Sequence, residues 1–302
     1  MDRREFLKVS ALSSASFAMA CSSGNTSGKI DCHAHLWPAF PGEIPFHSRI
    51  KKEDVVPTSF TAEDLMAEGA PFGMSRFVLI QHIFYHGYDP AYLVFAAKKF
   101  PGQFAVVSAL DPVDKELDKK MKADAGTVIS GYRVASKGKG EDWITGSGHD
   151  LMWNSAAEYD QSICLLRNRN VSLKSVLNRC KKFPKTRVVI DHFGHVDCND
   201  KKEKEVLWKL AELPGVYLKV SKFYGNGKQQ PPYMDMLPFV EEVIQHFGSD
   251  RLMWGSDCPY QLEKPHNYRD SFEIINSKAT FLSVADKENL FVKTAEKVFF
   301  RG

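Results

Sequence analysis

Short apolar runs recur along the chain, and stretches with helical patterning separate them. A strand followed by a helix and then by another strand is typical of parallel βα units. Eight of the apolar runs are predicted strands, at 29–40, 75–82, 103–112, 127–134, 161–168, 186–195, 216–224 and 251–260. Eight such units in a chain of 302 residues predict an α/β fold, a single (β/α)8 TIM barrel.

The alternative architecture is a doubly wound open sheet. Sheets of that kind that bind dinucleotides carry a GxGxxG turn after the first strand, and this sequence has none there. The predicted strands are nearly continuous apolar runs, as expected for strands that are covered on both faces. The barrel is therefore the favoured prediction, and we expect it to occupy residues 29–302.

Composition and charge narrow the classes of function. Hydrophobic residues make up 43% of the chain and charged residues 25%, which are ordinary values for a globular protein. The formal net charge of +3 gives no indication of nucleic-acid binding. The 6 cysteines include no CxxC spacing, and five remain once Cys21 is set aside, so we expect neither a disulfide framework nor a cysteine zinc site.

The N-terminal segment differs in character from the predicted barrel. Residues 1–20 start with paired Arg3 and Arg4 and continue as an apolar stretch of small residues, which resembles a twin-arginine export signal. Cys21 follows small residues, as at a lipoprotein cleavage site, and 21–28 reads as a flexible tether. We expect a bacterial cell-envelope lipoprotein, held to the membrane only through lipid on Cys21. The alternative is plain cleavage and a periplasmic product.

Polar residues of the predicted barrel gather where its strands end. His33 and His35 are two positions apart in the first strand, so their side chains point to the same face. In a (β/α)8 barrel, the C-terminal ends of the strands carry the chemistry. The other polar residues at those ends are Gln81, His82, Tyr132, Arg133, Asp191, His192, His195, Lys219, Ser221, Ser256 and Asp257. We expect closure of the barrel to bring these groups to one rim.

Two chemical interpretations of this rim stay open. His33, His35, His192 and Asp257 are a suitable ligand set for one divalent metal ion, zinc above all, which would lower the pKa of a bound water. The same four residues also suit catalysis without a metal. Asp257 would then act as general base, and the histidines would stabilise an oxyanion.

Three further residues are predicted to bind the substrate, namely Arg133, Lys219 and Tyr85. Arg133 presents a fork of donors that suits a carboxylate or a hydroxyl group. A salt bridge at the rim is the alternative role for Arg133 and for Lys219, and packing is the alternative for Tyr85. Asp191 is expected to orient a neighbour or to cap a turn rather than to catalyse.

Several motifs, taken together and in order, resemble a known family. They are DCHAHLW, GYRV, VVIDHFGH, VYLKVS and RLMWGSDCPY, and the resemblance extends over about residues 29–298. The set resembles the amidohydrolase-related branch of the amidohydrolase superfamily. That branch includes lactonases for pyrone dicarboxylates and sugar acids, and also decarboxylases of aromatic acids. The resemblance implies a first-strand pair at His33 and His35, a sixth-strand histidine at His192 and a proton-handling Asp257.

Two positions depart from the pattern of that family. Two-metal members carry a carboxylated lysine or a glutamate at the end of strand four, where this chain has Arg133. Metal-dependent members usually have a histidine that ends strand five, and SICLLRN contains none. The resemblance therefore implies one weakly held ion or none, together with a substrate-binding arginine of the lactonase-like kind at Arg133.

Hydrolysis of a lactone is the function that these residues favour. The expected substrate is a sugar-acid or pyrone-type lactone, attacked by water that Asp257 activates. A metal-dependent decarboxylase of an aromatic or unsaturated acid is the alternative, and a non-catalytic binding lipoprotein is a third. In each case the expected partner is a small molecule, and a homodimer is a further expectation because such barrels often pair.

Overall fold

A nearly closed ring of eight parallel strands forms the centre of the molecule. The computed structural model describes residues 28–136 and 140–301, so the predicted signal segment and Cys21 lie outside the described residues. The strands pair in parallel in the order β1 to β8, which confirms the predicted barrel. Their bounds are β1 Lys29–Ala34, β2 Met74–Ile80, β3 Phe104–Ser108, β4 Ile129–Ala135, β5 Ser162–Leu166, β6 Arg187–Ile190, β7 Val216–Ser221 and β8 Leu252–Gly255.

Helices cover the outside of the barrel. Their bounds are α1 Ala62–Gly69, α2 Ile83–His86, α3 Ala91–Lys99, α4 Leu117–Asp124, α5 Ser147–Glu158, α6 Leu173–Lys182, α7 Lys201–Ala211, α8 Leu237–Phe247, α9 Tyr268–Glu273, α10 Val284–Glu288 and α11 Thr294–Phe299. Two π-helical segments, Ile274–Lys278 and Asn289–Lys293, extend α9 and join α10 to α11. No helix within residues 28–136 and 140–301 has the length and apolar character needed to cross a membrane.

Apolar side chains fill both faces of the sheet, which is why the strands read as continuous apolar runs. One cluster packs between the strands and the outer helices. A second cluster fills the barrel interior and comprises Ile30, Cys32, Val78, Ile80, Ala105, Val107, Cys164, Val189, Tyr217, Met253, Ala295, Val298 and Phe299. The last three belong to α11, whose Glu296 pairs with Arg76 near the start of β2. The helix α11 therefore closes the N-terminal end of the barrel and leaves the opposite end for chemistry.

The barrel closes where β8 meets β1, and this junction fixes two candidate site residues. The amide of Asp257 donates to the carbonyl of His33 at 2.8 Å, and the amide of His35 donates to the carbonyl of Cys258 at 2.8 Å. Below them, the amide of Ser256 donates to Asp31 Oδ1 at 2.9 Å. The end of β8 is thus joined to the end of β1, so Asp257 is held against the two histidines.

The segment between β1 and β2 holds a helix that the hydrophobic pattern does not predict. The helix α1 begins after Thr61, whose hydroxyl accepts from the amide of Asp64 while the Asp64 carboxylate accepts from the amide of Thr61. This reciprocal arrangement is a capping box, and the Thr-x-x-Asp spacing is its sequence signal.

Candidate active site

The carboxylate of Asp257 lies among three buried imidazoles at the C-terminal end of the barrel. Asp257 Oδ1 lies 3.5 Å from His33 Nε2 and 3.3 Å from His35 Nε2, and Asp257 Oδ2 lies 3.7 Å from His192 Nε2. The hydroxyl of Tyr224 donates to Asp257 Oδ2 at 2.6 Å. The structure thus brings together the four residues that the strand ends single out.

The hydrogen bonds around this cluster leave several of its lone pairs without a donor. His35 Nδ1 lies 2.7 Å from the carbonyl oxygen of Ile80, which can only accept, so Nδ1 carries the proton and Nε2 directs a lone pair at Asp257. Among the described residues, His33 Nε2 and Asp257 Oδ1 have no hydrogen-bond partner although both atoms are buried. Nitrogen and oxygen lone pairs that converge in this way fit one divalent ion, and His33, His35 and Asp257 offer ligand atoms within 4.8 Å of one another.

The imidazoles of this cluster are neutral and the carboxylate is charged, for different reasons. Burial lowers the pKa of His33 to about 3, and the neighbouring Lys219 ammonium acts in the same direction. The pKa values of His35 and His192 are also lowered by burial. Burial disfavours the charged form of Asp257, yet its polar and cationic neighbours, among them the Lys222 ammonium, hold the pKa of that carboxyl well below its ordinary value. At neutral pH the cluster is therefore an anion surrounded by neutral bases.

The backbone reaches this geometry through left-handed conformations. Asp257 has a φ of 65°, and the turn His192–His195 after β6 has φ values of 56°, 54°, 65° and 52°. A left-handed residue other than glycine costs about 1–2 kcal/mol. Strain of this kind persists where surrounding contacts impose it, and it concentrates at functional sites.

A second buried carboxylate, Asp191, lies on the other side of the His33 ring. Asp191 Oδ1 lies 3.3 Å from His33 Nδ1 and 3.1 Å from Lys219 Nζ, and Lys219 Nζ lies 3.2 Å from His33 Nδ1. Asp191 and Lys219 are both buried. Burial opposes the charge on Asp191, but the ammonium of Lys219 holds the pKa of Asp191 well below its ordinary value. This pair therefore orients His33 from below, which agrees with the orienting role expected for Asp191.

A cavity of about 860 Å³ opens above the Asp257 cluster. The polar part of its lining includes His35, His82, Arg133, His192, His195, Lys222, Tyr224, Asp257 and Tyr260. The apolar part includes Ile83, Phe84, Leu110, Pro112, Val134 and Leu166. Asp257 shares this cavity with Arg49, Arg133 and Lys222, so the site offers more positive than negative charge to a ligand.

His195 adds a hydrogen-bond acceptor to the polar part of this lining. Its Nδ1 lies 2.5 Å from the carbonyl oxygen of Arg167, so the proton is on Nδ1 and Nε2 is the lone-pair nitrogen. Burial lowers the pKa of His195 to about 4, and the charge of Lys222 acts in the same direction. His82, whose Nε2 lies 2.7 Å from the Tyr260 hydroxyl, has its pKa lowered by burial to about 2.

Two residues expected to bind the substrate have other places in the structure. Lys219 lies beneath His33 inside the barrel, because it is two residues before the end of β7 and its ammonium pairs with Asp191. Tyr85 is buried, and its hydroxyl donates to the carbonyl of Asp54 at 3.0 Å and accepts from the amide of Val56 at 3.2 Å. The substrate-binding prediction is corrected for both residues, and only Arg133 of the three lines the cavity.

One site residue after β7, Lys222, escapes the sequence prediction, and Tyr224 lies beside it. Lys222 Nζ lies 3.8 Å from Asp257 Oδ2, and Tyr224 donates its hydroxyl to the same oxygen. Lys222 has a φ of 59°, and this left-handed turn carries both side chains over the cluster. The pattern VYLKVSKFY marks a strand but gives no signal for that turn.

Known proteins resemble this chain over most of its length. The family model for amidohydrolases matches residues 30–301. L-fucono-1,5-lactonase of Burkholderia ambifaria is 24% identical over 245 residues, which cover 76% of this chain and 80% of the relative. The 2-pyrone-4,6-dicarboxylate hydrolase of Comamonas testosteroni is 27% identical over 262 residues, which cover 80% and 79%.

A solved structure supports the fold. An amidohydrolase from Burkholderia multivorans with bound zinc superposes with a TM-score of 0.77 at 20% identity, over 91% of this chain and 100% of that chain. The resemblance drawn from the motifs is confirmed by the family match. This chain therefore belongs to the amidohydrolase family and is a hydrolase of that superfamily.

Proposed function

We propose that the protein hydrolyses the ring ester of a lactone that carries a carboxylate. The observation that carries the proposal is the ionised Asp257 among neutral imidazoles, at the base of a cavity where Arg133 and Lys222 supply positive charge. The relatives named as L-fucono-1,5-lactonase and 2-pyrone-4,6-dicarboxylate hydrolase support the same class of reaction.

Asp257 is the base in this proposal. Water over the cluster gives a proton to the Asp257 carboxylate while its oxygen attacks the ring carbonyl carbon. The ring C–O bond then breaks, and the departing alkoxide takes the proton back from Asp257, so the product is a hydroxy acid. Tyr224, whose hydroxyl donates to Asp257 Oδ2, keeps the carboxylate in one orientation during both transfers.

The donor set favours the version of this chemistry that uses one divalent ion. His33, His35, His192 and Asp257 would hold it, and when bound it would polarise the ring carbonyl. His35 Nε2 has no proton to offer an oxyanion, because Nδ1 donates to Ile80. The imidazoles are therefore better suited to bind a cation than to bind an oxyanion directly.

Arg133 and Lys222 would bind the carboxylate of the substrate. Arg133 is buried at the end of β4, where the nearest acid is Asp191, with 4.0 Å between Arg133 Nη2 and Asp191 Oδ2. That separation is longer than a hydrogen bond, so the guanidinium keeps donors available to a ligand.

The test is a screen of sugar-acid and pyrone lactones with a pH indicator, because ring opening releases a proton. The screen is run with and without chelator, and the metal content of the purified protein is measured beside it. We expect proton release that chelation lowers and added zinc restores. Release of carbon dioxide from an aromatic acid, without lactone turnover, would replace the proposal with the decarboxylase.

The export prediction stays a proposal that rests on residues 1–28. If Cys21 is lipidated, Cys21→Ser should move the protein from the membrane fraction to the soluble periplasmic fraction. Unchanged fractionation of the variant would refute the lipid anchor.

A further inference from the structure

The turn that follows β6 is the most strained segment near the active site. His192, Phe193, Gly194 and His195 are consecutive and all left-handed, and only Gly194 adopts that conformation without cost. Phe193 is buried and packs against Phe223 and Phe239, which anchors one side of the turn. The other side carries the two histidines. There His192 Nδ1 lies 2.9 Å from Ser221 Oγ, and the turn also receives support from the strand on its other flank.

Arg167 supplies that support from the residue directly after β5. Its Nε donates to the carbonyl of Gly194 at 2.8 Å, and its Nη2 donates to the carbonyl of His195 at 2.9 Å. Its own carbonyl accepts from His195 Nδ1 at 2.5 Å. Arg167 thus contacts the turn through three hydrogen bonds, which involve both its guanidinium and its backbone.

The guanidinium is itself held in one orientation. Its Nη1 donates to the carbonyl of Val171 at 2.6 Å and to Glu203 Oε1 of α7 at 2.8 Å. Arg167 is only 1% exposed, so Glu203 supplies the counter-charge that its burial requires. A planar fork fixed in this way matches two successive carbonyls, which a lysine ammonium cannot do.

The position of the turn decides where two active-site groups lie. His192 faces Asp257 from it, and His195 presents a lone-pair nitrogen to the cavity from it. We propose that Arg167 is a positioning residue, which holds the left-handed turn His192–His195 and thereby places His192 and His195 in the active site. The proposal rests on the proposed function only in taking this cavity as the active site.

The experiment compares Arg167→Lys with Arg76→Lys. Arg76 is also a buried arginine that pairs with a glutamate, Glu296, but it lies at the opposite end of the barrel. Both variants keep the positive charge of the arginine. Only Arg167→Lys removes a guanidinium that donates to the carbonyls of the turn. The first readout is the set of histidine ring signals in NMR spectra of ¹⁵N-labelled protein, and the variant His195→Gln assigns the signals of His195. The second readout is the affinity of the protein for zinc, measured without substrate.

In the wild type, we expect His195 to show its proton on Nδ1. In Arg167→Lys, the ring signals of His192 and His195 should move. Zinc affinity should fall about tenfold, at the low end of the 10–100-fold loss that is typical of direct partners of ligands, because Arg167 reaches the ligand His192 only through the turn. In Arg76→Lys both readouts should match the wild type, even if the two variants lose the same thermal stability. Unmoved histidine signals in folded Arg167→Lys would overturn the proposal and leave Arg167 as a structural ion-pair residue.

A milder pair of variants covers the case in which Arg167→Lys does not fold. Glu203→Ala removes the anchor of the fork, and Glu296→Ala is its match at the far end. We expect the His192 and His195 signals to move only in Glu203→Ala, and identical spectra for the two variants would overturn the proposal. Neither readout uses a lactone, so failure of the lactonase assay and failure of this proposal are separate results.

Discussion

Two buried aspartates lie on opposite sides of one histidine ring, and their surroundings differ. Asp257 faces His33 Nε2, together with neutral imidazoles and the open cavity. Asp191 faces His33 Nδ1, together with the ammonium of Lys219, inside the barrel. Both carboxyls have pKa values held well below the ordinary value against the effect of burial, so both are charged at neutral pH.

The difference between them is what balances that charge. The charge of Asp191 is balanced by a permanent cation in contact with it, so this carboxylate is suited to hold Lys219 and His33 in place. The carboxylate of Asp257 meets lone pairs, one tyrosine hydroxyl and the more distant Lys222 ammonium at 3.8 Å, so it keeps capacity for a proton or a metal ion. The two residues have the same type and charge. Contact with Lys219 gives Asp191 a structural role, and contact with the cavity makes Asp257 available for catalysis.

Asp257→Asn should produce the largest effect. The amide cannot take a proton from water, so kcat should fall about 10³-fold, within the range typical of general bases, while KM changes less than about threefold. Steady-state kinetics on the best lactone of the screen measures both constants. Turnover by the variant within tenfold of the wild type would remove Asp257 from the role of base.

Asp191→Asn should act on stability rather than on proton transfer. It leaves Lys219 charged and unpaired inside the barrel, which should lower the free energy of unfolding by about 3–5 kcal/mol in denaturant titrations. Glu288→Gln, which breaks the exposed pair with Lys293, should cost less than about 1 kcal/mol. The double variant Asp191→Asn/Lys219→Met should recover part of the loss, and no recovery would contradict the pairing of these two residues.

Arg133→Gln should weaken substrate binding selectively. A charge-assisted hydrogen bond to a carboxylate contributes about 1.5–3 kcal/mol, so KM for a carboxylated lactone should rise about 10–100-fold. A neutral lactone of the same ring serves as the matched substrate, and its KM should stay within about threefold. An equal rise for both lactones would mean that Arg133 shapes the cavity and does not recognise charge.

The neutral histidines should make stability depend on pH. Burial holds the pKa of His82 at about 2 and that of His195 at about 4, below the value of about 6.5 in an unfolded chain. As pH falls through 6.5, the unfolded chain of the metal-free protein takes up protons that the native state does not, so the free energy of unfolding should fall from pH 7 toward pH 4. His195→Gln should flatten this slope relative to the exposed His47→Gln, and parallel slopes would count against a neutral buried His195.

The barrel was predictable because burial on both faces makes its strands continuous apolar runs. The first two histidines were predictable for a similar reason, since alternate residues of one strand share a face. His192 and Asp257 follow from the rule that polar residues at strand ends meet at one rim. These inferences need only periodicity and the order of the strands.

Periodicity and strand order do not predict where three side chains lie, namely those of Lys219, Tyr85 and Lys222. Lys219 ends inside the barrel because Asp191, far away in sequence, supplies its counter-charge. Tyr85 points into the β1–β2 segment, where its hydroxyl bonds with the backbone at Asp54 and Val56. Lys222 reaches Asp257 through a left-handed turn that no sequence pattern marks. Each of these positions depends on tertiary partners rather than on local pattern.

The most direct test of the account is proton release from matched carboxylated and neutral lactones by the wild type and by Asp257→Asn. We expect the wild type to open the carboxylated lactone fastest, and Asp257→Asn to open both lactones about 10³-fold more slowly than the wild type. Equal hydrolysis by the two proteins, or no lactone hydrolysis by the wild type with zinc supplied, would contradict it.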